Sequence, residues 1–321
     1  MELRRLGRSG LLVSRMALGT LSWGRDTDEH EAREQLEAFA EHGGTLVDTA
    51  ASYGDGASER VLGALLDKTV SRSDLIIATK AGRSGPFGQD ITDVSRKAML
   101  DQLDDSLDRL DVDYIDLWQV HSWHDGTPLD ETLGALDHAV ASGRARYAGI
   151  SNYAGWQTAW AAVHQSQGSE RTRLVSTQME YSLVQRDIER DVVPAAQEFG
   201  LGILPWSPLG RGVLTGKYRS GTPADSRAAT PHLARFVDRY LDVRSRQIVE
   251  ALCTAADGLG VQPLEVALAW VRDRPGVVAP VLGARTAAQL NTQLAAEDLE
   301  LPEEIRTALD DVSAPSASAG G

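Results

Sequence analysis

Eight short apolar runs recur along the chain, and helical segments separate most of them. Runs of this length between turn residues are typical of buried parallel strands, whereas the intervening segments have the three-to-four-residue apolar spacing of an amphipathic helix. The strand-like segments lie near residues 14–19, 45–48, 75–79, 114–120, 146–151, 174–178, 202–206 and 277–282. Eight alternations of strand and helix predict an α/β fold of the closed (β/α)8 TIM-barrel type.

Segments outside this repeat predict additions to the barrel. Residues 3–14, with Gly7 and Gly10 beside a turn, indicate an N-terminal β-hairpin that caps the barrel floor. The predicted helices lie at 28–42, 58–68, 95–110, 129–142 and 187–199, with extra C-terminal helices at 263–273 and 302–312. The long segment 210–242 is interpreted as a flap or cofactor clasp. We expect one domain over residues 1–312 and a disordered tail over 313–321, which is too small and polar to pack.

Charge and composition exclude several classes of partner. The 321 residues carry a net charge of −14 without a basic cluster, which argues against nucleic acid or an anionic membrane as a partner. No apolar signal region and no run of about 18 apolar residues is present in the sequence, so we expect a cytoplasmic protein. An anionic ligand must therefore be bound by local donors. The oligomeric state is left open.

Four ionisable side chains stand at or just past the ends of three successive predicted strands: Asp48, Tyr53, Lys80 and His121. Because C-terminal strand ends converge at one mouth of such a barrel, we expect them to share a pocket. A phenol with a pKa of about 10 needs an adjacent cation such as Lys80 to stabilise its phenolate at neutral pH. Asp48 offsets the cost of burying that ammonium, and His121 can orient a carbonyl oxygen. The quartet predicts protonation of an oxygen while another group attacks its carbon.

A hydride donor would complete this scheme, and later strand ends carry groups suited to a dinucleotide. These groups are Ser151, Asn152, Gln178 and Trp206. The hydroxyl and amide groups suit a carboxamide, and the indole offers a face for ring stacking. Ser207–Gly212 suits a pyrophosphate, and Arg285 lies where a helix begins and a further phosphate could bind. No G-x-G-x-x-G follows a strand, so a Rossmann domain is not supported.

The motifs of the whole chain together resemble those of the aldo-keto reductase family. The matching segments are Asp48-Thr-Ala-Ala-Ser-Tyr53-Gly-Asp-Gly-Ala-Ser-Glu59, Ala78-Thr-Lys80, Asp116-Leu-Trp-Gln-Val-His121, Gly149-Ile-Ser-Asn152, Gln178-Met-Glu-Tyr-Ser-Leu183, Trp206-Ser-Pro-Leu-Gly210, Leu214-Thr-Gly-Lys217 and Gly283-Ala-Arg285 with Gln289. They follow the family order over nearly the whole chain. The resemblance implies an NAD(P)H-dependent reductase of aldehydes or ketones, with Tyr53 as general acid, Asp48 and Lys80 tuning it and His121 orienting the substrate.

The resemblance also implies which residues bind the cofactor. The expected set is Gly19, Thr20, Asp48, Ser151, Asn152, Gln178, Trp206, Ser207, Leu209, Gly210, Gly212, Lys217, Gly283, Arg285, Gln289 and Gln293. Gly283-Ala284 replaces a Lys-Ser pair that some members use for the 2′-phosphate, so Arg285 is expected to favour NADPH, with NADH as the alternative. Trp23, Trp123 and Phe87, together with Tyr53 and His121, are expected to contact the small carbonyl substrate.

Two other functions stay open at this point. Some relatives in the family bind the cofactor while serving channels, so the chain could be a regulatory subunit with little turnover. His121-Ser-Trp-His124 places two imidazoles close together, as in a metal-dependent barrel hydrolase. The other strand ends carry Lys80, Ser151 and Gln178 instead of further metal ligands, which argues against a metal site.

Overall fold

Strands and helices alternate along the chain in the computed structural model, which describes residues 1–85, 91–219, 221–223, 226–230 and 234–315. The strands within these ranges are β1 Leu3–Arg5, β2 Leu12–Ser14, β3 Ala17–Gly19, β4 Leu46–Asp48, β5 Ile76–Ala81, β6 Arg83–Ser84, β7 Ile91–Thr92, β8 Ile115–Val120, β9 Ala145–Ser151, β10 Leu174–Glu180, β11 Gly202–Trp206 and β12 Val281–Gly283. The helices are α1 Glu29–Glu41, α2 Ala57–Leu65, α3 Arg96–Leu110, α4 Leu129–Ala141, α5 Gly155–Ser166, α6 Val192–Phe199, α7 Ala234–Asp238, α8 Val243–Leu259, α9 Pro263–Arg272, α10 Ala287–Leu294 and α11 Glu303–Val312.

Eight of these strands form one parallel sheet in the order β11-β10-β9-β8-β5-β4-β3-β12. The segment before β12 joins the two outer strands. Ile203 of β11 donates its N–H to the Gly276 carbonyl, and Val278 donates its N–H to the Ile203 carbonyl, each at 2.9 Å. The sheet therefore curls into a nearly closed barrel, which confirms the predicted (β/α)8 architecture.

The register of the sheet brings the C-terminal strand ends to one rim. Lys80 of β5 is paired with Gln119 of β8, and Ser151 of β9 is paired with Gln178 of β10. Asp48 is the last residue of β4. Polar side chains that are far apart in sequence are thereby placed around one opening, as expected for parallel strands of a barrel.

A capping side chain and a proline set where two of the helices begin. Asp28 caps α1 by accepting a hydrogen bond from the Glu31 N–H, and Ala32, Leu36 and Phe39 of that helix are buried at helical spacing. The helix predicted over 187–199 begins later, at Val192, after a short 3-10 turn. Pro194 explains the difference, because proline is tolerated in the first turn of a helix but breaks its interior.

The eighth predicted strand, 277–282, is observed as β12 over 281–283. The apolar run divides its hydrogen bonds between two neighbours. Its first part bonds to Ile203 of β11, and the Pro280 carbonyl accepts the Ala17 N–H beside β3. The predicted run was therefore correct in place but shorter as a regular strand.

The N-terminal hairpin pairs β1 with β2 in antiparallel register, with Leu3 opposite Ser14. Its turn contains Gly7, whose φ is +58°. A Cβ at Gly7 would lie 2.4 Å from the Val175 carbonyl oxygen and 2.6 Å from that of Gly200. The hairpin thus packs tightly against the N-terminal ends of β10 and β11, on the barrel floor as predicted.

The segment predicted as a flap contains a 3-10 stretch at Gly210–Thr215, another at Arg227–Ala229, and α7. Residues 220, 224–225 and 231–233 of this segment lie outside the described residues, as do residues 316–321 of the predicted tail. Ser313 is buried and accepts a hydrogen bond from Arg186 at 2.8 Å, so packing extends beyond residue 312. Among the described helices, none is long and apolar enough to cross a membrane.

Candidate active site

A cleft of about 440 Å3 opens at the C-terminal rim of the barrel. Its walls come from the ends of β4, β8, β9, β10, β11 and β12 and from the loops that follow them. This is the rim at which barrel enzymes hold their active sites. Tyr53 and His121 line one part of the cleft, and Arg285 and Gln289 line another.

Lys80 links the ionisable side chains at the base of this cleft. Its Nζ donates to Asp48 Oδ2 at 2.7 Å, to the Thr49 carbonyl at 2.8 Å and to Tyr53 Oη at 3.4 Å. Asp48 also accepts the Gln178 amide at 2.8 Å through its other oxygen. Lys80 is 1% exposed and Asp48 2%, so a fixed, desolvated ion pair stands behind the phenol.

The surroundings shift the pKa of Tyr53 and that of Lys80. Burial raises the pKa of Tyr53 above its ordinary value, and the Lys80 ammonium opposes this shift without cancelling it. Burial by itself lowers the pKa of Lys80, but Asp48 and then Tyr53 outweigh it, so the net shift is upward. The resting site therefore holds a protonated phenol beside a charged ammonium.

His121 stands across from the phenol. The two rings meet edge to face, with centroids 6.1 Å apart and an interplanar angle of 78°. Burial lowers the pKa of His121 well below its ordinary value, and the positive charges of Lys80 and Arg83 lower it further. Its Nδ1 is buried without a hydrogen-bond partner among the described residues. A neutral imidazole therefore faces the cleft through its other nitrogen.

Asn152 connects this imidazole to the aromatic wall of the cleft. Its Nδ2 donates to the His121 carbonyl at 2.9 Å and to Ser151 Oγ at 3.0 Å, while its Oδ1 accepts the Trp206 indole N–H at 3.0 Å. The Asn152 backbone is left-handed, with φ of +58°. A non-glycine residue held in that region is more often found where a site needs its side chain aimed.

The loop after β11 contains two further left-handed residues, Ser207 with φ +52° and Arg211 with φ +59°. Gly212 follows with φ +96°, and a Cβ there would lie 3.5 Å from the Lys217 ammonium. The backbone at Gly212 therefore lies close to the Lys217 ammonium. Ser207, Leu209, Gly212 and Lys217 all line the cleft.

Arg211 is held away from any ligand role by an ion pair with Glu180. Its Nε and Nη2 donate to the two Glu180 oxygens at 2.8 and 2.7 Å, and its Nη1 donates to the Phe236 carbonyl at 2.7 Å. The guanidinium also lies 3.7 Å from the Phe236 ring centre and 5.3 Å from that of Tyr240. Arg211 therefore fastens α7 and the residues after it to the cleft wall.

The far part of the cleft is formed by the residues between β12 and α10. Gln289 accepts the Arg285 N–H at 3.0 Å, and Arg285 Nη2 donates to Thr230 Oγ1 at 3.3 Å. Gln293 donates to the Gly283 carbonyl at 3.1 Å, while its buried Oε1 has no hydrogen-bond partner among the described residues. A polar ligand group that donates to Gln293 would satisfy this oxygen.

Comparison with known proteins identifies the family. The family model described as "Aldo/keto reductase family" matches residues 15–314. The chain belongs to the aldo/keto reductase family. It is 34% identical to the uncharacterized oxidoreductase YrpG of Bacillus subtilis over 97% of this chain and 96% of that protein.

Two further relatives show the range of names among similar proteins. The probable voltage-gated potassium channel subunit beta of Arabidopsis thaliana is 34% identical over 93% of this chain and 92% of its own length. Protein tas of Escherichia coli is 34% identical over 97% of each chain. The family and the name of the first relative support an oxidoreductase, and members of the family generally use NAD(P)H.

Most residues expected from the sequence line the cleft of this aldo/keto reductase. They are Gly19, Asp48, Tyr53, His121, Ser151, Asn152, Gln178, Trp206, Ser207, Leu209, Gly212, Lys217, Gly283, Arg285, Gln289 and Gln293. Lys80 stands behind them in contact with Asp48 and Tyr53. Thr20 is buried and donates to the Asp48 carbonyl, and a Cβ at Gly210 would strike Val184 at 2.6 Å, so neither faces the cleft.

Two of the residues expected to contact the substrate, Trp23 and Trp123, lie away from the cleft lining. Trp23 is fully buried, and its indole N–H donates to Gln35 at 3.1 Å, away from the cleft. Trp123 packs edge to face on Tyr153 and contacts Trp156 outside the cleft lining. Phe87 lies outside the described residues.

Several cleft residues were not anticipated from the sequence. The main ones are Leu21, Arg83, Phe236, Gln262, Leu264 and Thr292. Arg83 could have been found, because it follows Lys80 by three residues at the end of the same strand-like run. Phe236 lies in the segment 210–242 that was interpreted as a flap or cofactor clasp, although that interpretation did not single it out. Gln262 lies between two helices, far from any strand end, so no sequence signal places it at the rim.

The second imidazole of the His121–His124 pair is turned toward its own loop. His124 Nδ1 lies 3.0 Å from Thr127 Oγ1. Within the part of the chain that the structure describes, no three His, Cys, Asp or Glu side chains are grouped to hold a metal ion.

Proposed function

We propose that this protein reduces aldehydes or ketones to alcohols with NADPH, and that Tyr53 donates the proton. The observation that carries the proposal is the Lys80 ammonium, which bridges Asp48 and Tyr53 at 2.7 and 3.4 Å in the wall of the cleft. An ion pair costs free energy to bury, so its position directly behind an accessible phenol is best explained by the chemistry of that phenol.

Tyr53 acts as the general acid in this proposal. Its raised pKa keeps the hydroxyl protonated at neutral pH, which is the form required to donate to a carbonyl oxygen. As the proton leaves, negative charge develops on Oη. Lys80 stabilises that charge more than it stabilises the neutral phenol, so its effect is greatest in the transition state.

His121 orients the carbonyl oxygen toward Tyr53. Because its pKa is lowered well below the ordinary value, the ring is neutral and can donate one hydrogen bond from the nitrogen that faces the cleft. The Asn152 amide holds the His121 backbone, which fixes the direction of the ring. A substrate oxygen placed between the two rings meets a proton donor on each side.

The polar and aromatic groups that line the cleft support binding of a nicotinamide dinucleotide. Ser151, Asn152 and Gln178 would hold the carboxamide, Trp206 the ring, and the tight turn at Ser207–Gly212 with Lys217 the pyrophosphate. The unpartnered Gln293 oxygen accepts a donor such as an amino group of a purine. When bound, NADPH supplies a hydride to the carbonyl carbon.

Arg285 supports NADPH over NADH, because its guanidinium lines the far part of the cleft where a 2′-phosphate would lie. We expect Arg285→Ala to lower the ratio of kcat/KM for NADPH over NADH about tenfold or more, the range of a charge-assisted hydrogen bond. Steady-state kinetics with both cofactors measures this ratio. An unchanged ratio would refute the assignment.

The direct test of the function is NADPH oxidation with a panel of aryl aldehydes and ketones, with the alcohol product identified by chromatography. We expect one alcohol formed for each NADPH consumed. One relative is named as a potassium channel subunit, so cofactor binding is measured in parallel by quenching of Trp206 fluorescence. Binding without turnover of any carbonyl in the panel would favour a cofactor-binding regulatory subunit instead.

A further inference from the structure

Three fully buried hydroxyl groups, those of Thr20, Thr49 and Ser58, lie outside the cleft lining and next to the acceptors of the Lys80 ammonium. We infer that these hydroxyls form a positioning chain, which holds the acceptors of Lys80 in place relative to the Tyr53 phenol. The inference rests on the proposed reductase function and deepens it, because it assigns residues that act through Lys80 without touching the cofactor or the substrate.

The hydrogen bonds of the three hydroxyls run in one direction. Thr20 Oγ1 donates to the Asp48 carbonyl at 3.1 Å. Ser58 Oγ donates to Thr20 Oγ1 at 2.7 Å, with the Thr20 carbonyl as a second acceptor at 2.9 Å. Thr49 Oγ1 and Ser58 Oγ are 3.0 Å apart. Each hydroxyl has a single proton, and the Asp48 carbonyl can only accept. Thr49 therefore donates to Ser58, and every proton of the chain has an acceptor.

The two ends of the chain belong to the two residues that accept from Lys80. Asp48 accepts the Lys80 ammonium through Oδ2 at 2.7 Å, and Thr49 accepts it through its backbone carbonyl at 2.8 Å. The Thr20 N–H also donates to the Asp48 carbonyl at 3.0 Å. Residues 48 and 49 are thereby held from one side by the hydroxyl chain, while Lys80 contacts them from another.

Ser58 connects this chain to the phenol. It lies in the first turn of α2, and its N–H donates to the Tyr53 carbonyl at 3.3 Å. Lys80 Nζ is 3.4 Å from Tyr53 Oη, which is longer than the usual N–H···O distance. The energy between the ammonium and a phenolate depends on this distance, most strongly where water is excluded. Ser58 therefore joins the segment that carries the phenol to the group that fixes the acceptors of the cation.

Burying three hydroxyls costs free energy that apolar side chains of similar shape would avoid. A buried network in which every proton has an acceptor makes its surroundings rigid. Loss of one hydroxyl should therefore leave the barrel folded but loosen the acceptors of Lys80. The ammonium would then stabilise the Tyr53 phenolate less well.

Thr20 offers a matched pair of variants. Thr20→Val removes the hydroxyl at nearly constant shape, and Thr20→Ser keeps it. With NADPH and methyl 4-formylbenzoate, we expect Thr20→Val and Ser58→Ala each to lower kcat about three- to tenfold, the range of one hydrogen bond. The Kd for NADPH should stay within about twofold of the wild-type value. Thr20→Ser should keep the wild-type kcat.

Thr132→Val is the control for loss of a buried hydroxyl elsewhere. Thr132 is 2% exposed, and its Oγ1 donates to the Val94 carbonyl at 2.9 Å from α4. This substitution removes a comparable hydrogen bond outside the chain of hydroxyls. We therefore expect it to leave kcat unchanged.

Ionisation of the Tyr53 phenol separates positioning from a general structural effect. The charges that act on Tyr53 are those of Lys80, Asp48 and Arg83, and none of them is removed in these variants. The phenol is titrated by NMR of protein labelled with ¹³C-tyrosine, with its signal assigned by Tyr53→Phe. We expect the ionisation constant of Tyr53 to fall about threefold or more in Thr20→Val and Ser58→Ala. It should be unchanged in Thr20→Ser and Thr132→Val.

An ionisation constant of Tyr53 that is the same in wild type, Thr20→Val and Ser58→Ala would overturn the positioning chain, whatever happens to kcat. An equal fall in Thr132→Val would also overturn it. The titration needs no turnover. A wild-type protein that reduces no carbonyl would instead contradict the proposed function, and the titration would still decide whether the chain positions Lys80.

Discussion

The two ends of the cleft are built in different ways. At the end proposed for catalysis, Asp48 and Lys80 are strand residues and 1–2% exposed, and the barrel register fixes their positions. At the other end, Ser207 and Gly212 lie in a loop with left-handed backbone next to the Arg211–Glu180 ion pair. Arg285 lies in the turn before α10, where its N–H donates to Gln289. One end depends on the sheet, and the other depends on loops attached to it.

Because the two ends are built differently, we expect one to control kcat and the other to control the Kd of the cofactor. A paired charge fixed by strands can stabilise a phenolate without rearranging, so substitutions there should lower kcat. Loops held by side-chain contacts such as the Arg211–Glu180 ion pair determine how well a long ligand is held, so substitutions there should raise the Kd of the cofactor. The following predictions test that separation, beginning with the largest effect.

Removing the Lys80 ammonium should have the largest effect of these substitutions on kcat. We predict that Lys80→Met lowers kcat for carbonyl reduction by about 10²- to 10⁴-fold, because the Tyr53 phenolate loses its stabilising charge. The Kd for NADPH should change much less. Steady-state kinetics and fluorescence titration measure the two quantities.

Lys80→Met also leaves the Asp48 carboxylate buried without its cation, which is destabilising. The control is the double variant Asp48→Asn, Lys80→Met, in which neither charge is left alone. We expect the double variant to recover folding stability but not kcat. Recovery of kcat together with stability would show that the pair serves folding only, and the separation between the two ends would fail.

Removal of the Arg211–Glu180 ion pair tests the loop end of the cleft. Arg211→Gln should raise the Kd for NADPH roughly tenfold, because Phe236 loses its anchor at the cleft wall. It should also lower the free energy of unfolding by about 3 kcal/mol, because the buried Glu180 carboxylate loses its two-pronged partner, and Arg239 lies farther away at 3.8 Å. With substrate and cofactor saturating, kcat should fall far less than in Lys80→Met.

Arg219 offers the matched control in the same loop. It forms an exposed ion pair with Glu250 at 2.5 Å, and such pairs contribute little to stability. Arg219→Gln should therefore leave both the cofactor Kd and the unfolding midpoint unchanged. Equal effects of the two substitutions would mean that burial of the Arg211 pair has no special importance.

The smallest expected effect is on pH dependence. The pKa of His121 is lowered well below 6.5 and the pKa of Tyr53 is raised above 10, so neither group changes its protonation state between pH 6.5 and 8. We predict a flat kcat/KM for reduction over this range and a decline only at high pH, as Tyr53 loses its proton. An inflection near pH 6.5 would show that His121 titrates at its ordinary value.

Much of the fold was predictable because strand and helix periodicity is local. The barrel strands follow from apolar runs, and their C-terminal ends then place Asp48, Lys80, His121 and Gln178 around one rim. The ends of elements were less predictable. Pro194 delays α6, and the run at 277–282 shares its hydrogen bonds between β11 and β3. Both depend on tertiary contacts that a periodic pattern does not encode.

The site could be predicted where it is made of strand ends and not where it is made of distant loops. Trp23 follows β3 closely, yet its indole turns inward to Gln35. Arg211 lies within the Ser207–Gly212 segment that was expected to suit a pyrophosphate, yet its guanidinium is paired with Glu180. Phe236 lines the cleft with its ring packed on the Arg211 guanidinium. Side-chain direction in loops is decided by partners far away in sequence, which explains these differences.

The most direct test of the central claim is a single turnover with NADPH deuterated at both positions of the nicotinamide C4. Wild-type protein and Tyr53→Phe are each loaded with this cofactor and mixed with methyl 4-formylbenzoate. We predict that the wild type yields an alcohol with deuterium on the carbinol carbon. Tyr53→Phe should bind the cofactor with similar Kd but form this alcohol at least about 100-fold more slowly. Deuterium transfer at near-normal rate in Tyr53→Phe would contradict Tyr53 as the proton donor.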